Sequence, residues 1–326
     1  MNKTILSGIQ PSGLLHIGNY FGAIKQHLEM QTKGEAFYFI ANYHSLTSLA
    51  DGDKLRRYTL DVTLDYLALG MDPENCTFFA HSEVPQVTEL AWILGTLCPV
   101  SLMEKGVSYK DKVAQGLPAN VGLFTYPILQ AADILIYGSD LVPVGADQKQ
   151  NIEIARDLAA KFNHTYDCDV LTLPEACIVK SVASVPGTDG RKMSKSYNNA
   201  INIFDEGKTL RKKVMSIQTD SKGLEDPKDP DACNVFALIR LFADKEIIAD
   251  TEKKYRAGGF GYGDAKKRLL ELIEDYFAEA REKRKVLAEN EGYVLDILRE
   301  GGEKARKRAG ETMVLVRDVT GINLYT

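Results

Sequence analysis

The chain of 326 residues is 44% hydrophobic and 26% charged, with a formal net charge of −5. That length holds one large domain and a smaller one, and the composition excludes collagen-like, disordered and coiled-coil-only chains. The acidity excludes a general nucleic-acid coat, and no apolar run reaches the ~18 residues of a membrane span. With no basic-then-apolar leader after Met1, the reading is a cytoplasmic protein.

Elements alternate along the first half. Thr4-Ile5-Leu6 reads as a strand ending at Gly8, and a helix is expected from about Asn19. Ala36–Ala41 reads as a second strand, Lys54–Leu69 as a helix stopped by Gly70 and Asp72-Pro73, Cys76–Ala80 as a third strand and Thr88–Leu97 as a further helix. Such β-α-β-α order predicts an α/β fold, a doubly wound parallel sheet of Rossmann type, with a ligand site at the carboxyl ends of the strands. After Asp205 strand-like runs nearly vanish, and helical periodicity covers Thr209–Ile217, Ala232–Phe242, Lys266–Leu287 and Gly292–Leu298. The expected division is therefore a catalytic domain over 1–204, onto which C-terminal helices can pack back, and a helical domain over 205–326.

Other features invite a bland reading. Cys76, Cys98, Cys168, Cys177 and Cys233 are scattered, with no C-x-x-C pair and no His at zinc spacing, so buried free thiols and no dedicated metal cluster are expected. The Gly258–Gly263 run fits neither phosphate-loop pattern and reads as a hinge or helix-entry turn. The basic clusters Lys266-Lys267-Arg268, Arg281–Lys285 and Arg306-Lys307-Arg308 read first as solvated helix faces and second as phosphate contacts. Trp92, the one tryptophan, is expected in the core.

Two segments carry chemistry. The first strand leads into Gln10-Pro11-Ser12-Gly13-Leu14-Leu15-His16-Ile17-Gly18-Asn19, a turn feeding a helix, where backbone N–H groups and the helix dipole favour an anion and His16 can donate to an oxyanion. Gly187–Ser196, with Lys192 and Lys195 among small hydroxyl residues, forms a cationic loop suited to a polyphosphate. Taken singly, the first reads more readily as a plain turn with a structural imidazole and the second as a solvated loop.

Together they resemble the paired signatures of class I aminoacyl-tRNA synthetases. His16-Ile17-Gly18-Asn19 is similar to the HIGH motif, and Lys192–Ser196 reads KMSKS. Gly8–Gly13, His16–Tyr20, Ala131–Leu135 and Val142–Gln150 resemble the bacterial tryptophanyl branch of that family across essentially the whole chain. The resemblance implies ATP, with Mg2+ carried on its phosphates, L-tryptophan and tRNA(Trp) as substrates, and a homodimer. It implies that Gln10, Pro11, Ser12, Gly18 and Asn19 line the ATP site with His16 near the phosphates, that Gly145, Ala146 and Asp147 hold the ribose or adenine end, and that Val185 and Met193 touch the adenine. Lys192, Met193, Ser194, Lys195 and Ser196 would close over the phosphates, Lys192 and Lys195 stabilising the leaving pyrophosphate with support from Lys112 beside the equally charged Lys110. The helices after Asp205 would receive the anticodon arm.

An indole offers one N–H donor, so its pocket needs an acceptor; a phenol needs an acceptor and a donor. Asp133, a carboxylate in the apolar run Ile128–Leu135, is the expected indole reader, with Gln148 for the amino acid's charged groups and His44, Tyr126, Val142 and Val144 as walls. Gln130, where many tryptophanyl enzymes carry Met, also occurs on the tyrosyl side. A tyrosyl enzyme, a small-molecule adenylyltransferase and a catalytically silent RNA-binding relative remain the competing readings.

Overall fold

The computed structural model describes residues 3–104, 116, 120–145, 148–178 and 185–325. Five parallel strands, β1 (Thr4–Ile9), β2 (Glu35–Ile40), β3 (Thr77–Ala80), β4 (Leu141–Val144) and β5 (Glu175–Ile178), form one sheet in the order β3-β2-β1-β4-β5. β1 and β2 pair in register from Thr4 opposite Glu35 to Ile9 opposite Ile40. Both strands are almost continuously buried, as expected of a parallel sheet covered on both faces. The chain leaves β1 toward β2 and β3, then returns to add β4 on the other side, which opens a crevice at the carboxyl ends of β1 and β4.

The helices have local causes. α1 (Gly52–Leu69) starts where the Asp51 side chain accepts from Lys54 N and stops at Gly70, whose φ of 111° suits glycine. α2 (Gln86–Leu97), α3 (Val100–Glu104), α4 (Val121–Leu135) and α5 (Lys149–Thr165) follow, α4 capped by Asn120 accepting from Leu123 N. Their apolar faces meet the sheet in one core that includes Leu6, Phe37, Phe79, Ile134, Ile154 and Phe162. Each such side chain contributes roughly 1.5–3 kcal/mol when fully buried.

The chain divides into two compact units, and not at residue 204/205. One comprises residues 1–13, 26–179 and 287–326; the other comprises 14–25 and 180–286. The reason lies in the last helix. After α6 (Gly207–Met215), α7 (Asn234–Phe242), α8 (Lys245–Ala257), α9 (Tyr262–Tyr276) and α10 (Ala278–Ala288), α11 (Glu291–Thr320) packs on β3, α2 and α1 in the first unit. Gly301 lets it do so: a Cβ there would lie 1.9 Å from the Phe78 carbonyl oxygen. Arg306 donates to the Glu83 carbonyl at 2.7 Å, Arg308 to that of Tyr137 at 3.1 Å, and Arg317 pairs with Glu89.

In the second unit, Gly258 and Gly259 take φ of 78° and 76° just before α9, as the helix-entry reading expected. Part of each basic cluster in this unit is a tether, since Lys266 donates to the Met215 carbonyl, Arg268 pairs with Asp250 and Arg281 donates twice to the Ile203 carbonyl, while Lys267, Lys283 and Lys285 stay on the solvated face as expected. All five cysteines are free thiols, Cys76 and Cys233 fully buried. Among the described residues no helix is long and apolar enough to cross a membrane.

Trp92 corrects the expectation of a core indole: it is 76% exposed, because the buried stripe of α2 runs through Val87, Leu90, Ile93 and Leu94 instead.

Gly301→Ala should lower the unfolding free energy by about 3 kcal/mol, since backbone must give way on one side or the other. Urea denaturation measures this, and an unchanged midpoint would mean that α11 does not sit on β3.

Candidate active site

The first unit contains a cavity of about 320 Å³ at the carboxyl ends of β1 and β4. Such a volume lies near the lower end of small-ligand pockets. β1 contributes Leu6, Ser7 and Gly8, the turn after it Gln10, the end of β2 Phe39, and β4 Val142 and Val144. His44 and Thr47 follow β2, while α4 presents Tyr126, Gln130, Asp133 and Ile134, and Gln148 completes the wall. Thus Asp133, Gln148, His44, Tyr126, Val142 and Val144 all border one cavity.

Asp133 is 2% exposed. Its Oδ2 lies 2.8 Å from His44 Nε2 and its Oδ1 2.7 Å from His81 Nε2. Burial alone would push the carboxyl's pKa up; the imidazoles of His81 and His44 outweigh it and hold the group well below the usual carboxylate range. The cavity therefore presents an ionised acceptor among both apolar and polar wall residues. Gln148 takes a hydrogen bond on Oε1 from Asn151 at 2.9 Å, with Gln130 Nε2 at 3.5 Å. The carbonyl of His44 accepts from Thr47 Oγ1 at 2.8 Å and from Gln10 Nε2 at 3.4 Å, which fixes the loop carrying the imidazole.

His44, His81 and Asp133 also form a group able to hold a metal ion, which no spacing in the sequence announces. His44 Nε2 hydrogen-bonds Asp133 Oδ2 at 2.8 Å, while His81 Nε2 meets Oδ1 at an ion-pair distance of 2.7 Å without hydrogen-bond alignment. A ligating histidine normally gives its second nitrogen to an acceptor, whereas His81 Nδ1 is buried with no partner. The trio is better described as a carboxylate held by two rings.

The second unit holds both signature segments. Ile17 N donates to the Ile201 carbonyl and Ile203 N to that of Leu15, both at 3.0 Å, so the segment around His16 is bridged to the stretch just after the lysine loop. His16 caps its helix: Nδ1 accepts from Asn19 N at 3.2 Å, and His16 N donates to Asn19 Oδ1 at 3.1 Å. Burial first, then the charge of Lys195, lowers the imidazole pKa to about 4. The ring is neutral, and because Nδ1 accepts, Nε2 carries the proton and is a donor. A Cβ on Gly18 would lie 3.0 Å from His16 Nδ1 and 3.3 Å from Met193 Cβ, so only glycine lets the loop approach this closely.

The lysine loop is organised by Asn199, which sequence reasoning missed. This 1% exposed amide accepts from Ser194 N at 2.8 Å and donates to Asp189 Oδ1 at 2.7 Å and to the Lys192 carbonyl at 3.2 Å. Met193 N returns to the Val185 carbonyl at 2.8 Å, and Arg191 lies over the Tyr197 ring at 4.3 Å. Lys192 is exposed and Lys195 half-buried. Of the residues expected around ATP, Gln10, Pro11, Ser12 and Gly145 belong to the first unit, and His16, Gly18, Asn19, Val185 and Lys192–Ser196 to the second. Lys112, Ala146 and Asp147 lie outside the described residues.

Comparison with known proteins places the chain in a family. The family model for class I tRNA synthetases (W and Y) matches residues 2–278. The chain belongs to that family of class I aminoacyl-tRNA synthetases. It is similar to the tryptophan–tRNA ligase of Fusobacterium nucleatum, at 53% identity over 99% of this chain and 100% of that protein. It is also similar to the crystal structure of tryptophanyl-tRNA synthetase from Campylobacter jejuni complexed with ADP and tryptophan, with a TM-score of 0.92 and 50% identity over 98% of this chain and 99% of that one. The tryptophanyl-tRNA synthetase of Mycoplasma pneumoniae superposes with a TM-score of 0.82 at 27% identity, over 99% of each chain.

Unfolding exposes His16 to solvent, where its pKa returns to near 6.5, so the unfolded chain binds more protons between pH 6.5 and about 4 and stability from this group falls as pH drops through that window. In the folded protein its imidazole NMR signals should stay flat from about pH 8 to 5.5 and titrate near 4. A midpoint near 6.5 would show an exposed ring rather than a helix cap.

Proposed function

We propose that the chain activates L-tryptophan with ATP, releasing pyrophosphate, and transfers the tryptophanyl group to the 3′-terminal adenosine of tRNA(Trp). The observation that carries this reading is the buried Asp133 carboxylate in the wall of a small cavity, an acceptor matched to the single N–H of an indole. The likeness to a relative complexed with ADP and tryptophan supports it.

In the first step the tryptophan carboxylate, already a nucleophile, attacks the α-phosphorus of ATP; the bond to the bridging oxygen breaks and pyrophosphate leaves with its electron pair. No general base is needed, so rate comes from alignment and charge stabilisation. Lys192 and Lys195 offset charge gathering on the pyrophosphate, with Lys112 in a supporting contact. His16 donates from Nε2 to a phosphate oxygen, and its neutrality lets it do so without holding the product by full charge. Gln10, Pro11, Ser12, Gly18 and Asn19 line the nucleotide, with Gly145, Ala146 and Asp147 at its ribose or adenine end and Val185 and Met193 against the base. Mg2+ enters with the nucleotide, since it favours phosphate and water oxygens over nitrogen donors such as His44 and His81. Gln148 meets the amino acid's carboxylate or ammonium.

In the second step the 2′-hydroxyl of the terminal adenosine takes the tryptophanyl group and AMP leaves. We assign the helices after Asp205 to the anticodon arm. Supporting RNA contact there, Lys208 and Lys212 stand exposed on α6, beside Lys195 and Lys213, in a groove of about 740 Å³. The place of work is the cytoplasm, where these substrates meet.

The test is exchange of labelled pyrophosphate into ATP, with tryptophan or tyrosine, for wild type, Asp133→Ala and Lys195→Ala. Tryptophan alone should support exchange. Asp133→Ala should lose at least roughly 100-fold in kcat/KM, and Lys195→Ala should lose mainly kcat with tryptophan KM little changed. A tyrosine preference would move the assignment to the tyrosyl branch; no exchange would leave the RNA-binding reading.

A homodimer is part of the same proposal. Trp92, Val100 and Val121 are 76%, 63% and 77% exposed on α2, α3 and α4, and α4 packs against both others, leaving an apolar surface for a second copy. On dilution, the emission of the single tryptophan should shift red as light scattering reports dissociation; a monomer at every concentration would overturn this.

A further inference from the structure

We infer that His81 is a specificity-determining positioning residue: it pins the Asp133 carboxylate from behind and so fixes that group as an acceptor facing the cavity. The inference rests on the reading that the cavity takes an indole with Asp133 as its partner.

The argument begins with what each side chain touches. His81 follows β3 directly, in the single helical turn His81–Glu83, and is 1% exposed. It does not border the cavity, whereas Asp133 and His44 do. Its Nε2 reaches Asp133 Oδ1 at 2.7 Å, while His44 Nε2 takes Oδ2 at 2.8 Å. The ring is wedged: it stacks on His44 with centroids 5.5 Å apart and planes at 22°, meets Tyr43 edge-on at 4.9 Å, and lies 5.1 Å from Phe39. One carboxylate is thus held at both oxygens by rings that are themselves packed in place.

Three consequences follow for recognition. A carboxylate has about four lone-pair directions; His44 Nε2 uses one and the close His81 ring stands against Oδ1, so acceptor capacity remains for a ligand. With both oxygens held, the carboxylate cannot swing about its terminal torsion, and the remaining lone pairs keep one direction. Without His81, a buried Oδ1 has no donor among its described neighbours, and the cheapest relief for a desolvated carboxylate is to take up a proton. The neutral acid would keep only a carbonyl-type acceptor, weaker toward an indole N–H than the carboxylate. His81 therefore sets the strength and direction of the hydrogen bond that separates an indole from a ring of the same shape lacking the N–H.

The experiment compares tryptophan with β-(3-benzothienyl)alanine, in which sulfur replaces the indole N–H, by pyrophosphate exchange in the full-length chain. Wild type should prefer tryptophan by roughly 100-fold in kcat/KM. His81→Leu should cut that preference at least tenfold through a higher KM for tryptophan, with kcat and the analogue's constants within about threefold of wild type. His81→Gln, whose amide nitrogen can occupy the place of Nε2, should restore the preference. If His81→Leu does not fold, His81→Asn provides the comparison: its shorter amide cannot reach Asp133, so the preference should fall with Asn and stand with Gln.

Equal losses on both substrates would reduce His81 to a packing residue, and a preference unmoved in every variant would overturn the inference. A wild type that does not distinguish the two amino acids would instead remove the reading of Asp133 as indole partner. Zinc competing with tryptophan in wild type but not in His81→Gln would replace the hydrogen bonds with a metal site and also overturn the inference.

Discussion

A negative charge taken out of water has to be matched, and the core around Asp133 is arranged to match it. The carboxylate comes from α4, one imidazole from the loop after β2 and the other from the turn after β3. Neither ring could arrive without the crossovers that bring the carboxyl ends of those strands to one side of the sheet. The charge therefore fixes more than a pocket wall. It ties α4, β2 and β3 together at one point, because pulling any of the three away would leave an ion unpaired in an apolar interior.

The cationic half of the chemistry is built by other means. Lys192 and Lys195 belong to a loop whose shape is set by amide and backbone contacts, with Asn199 joining Ser194, Asp189 and Lys192. Two backbone hydrogen bonds, Ile17 to Ile201 and Ile203 to Leu15, hold the segment around His16 beside the stretch after that loop. Two motifs more than 170 residues apart in sequence thus share one compact unit, which explains why neither conveys much when read alone.

β1, β2 and β3 were legible because each is a short apolar run bounded by turn residues, whereas β4 and β5, four residues each, were not, and the helix ending at Gly70 was legible because a glycine past the last periodic residue is a local stop. Asp133 was legible for the opposite reason, as a charge in an apolar run. His81 was not: one imidazole beside a strand end has no periodicity, and its meaning depends on a residue 52 positions away that tertiary packing brings within 2.7 Å. Asn199 was hidden in the same way among ordinary loop residues. The return of α11 to the first unit was foreseeable only as an open possibility, since helical periodicity says which face is buried and not against what. Trp92 was misread because a large apolar side chain was taken as core by type, while its neighbours on α2 supply the buried stripe.

The course of α11 also bears on how the protein is made. β3 is an edge strand, and its cover is contributed by Glu291–Thr320, after the whole of the second unit has been synthesised. At a typical ~5–20 residues per second, the roughly 210 residues between β3 and α11 take at least about ten seconds to appear. Throughout that interval the nascent first unit holds an apolar face without its final helix. The second unit, contiguous but for residues 14–25, is free to close earlier. An N-terminal half that finishes last is one that a chaperone has reason to hold.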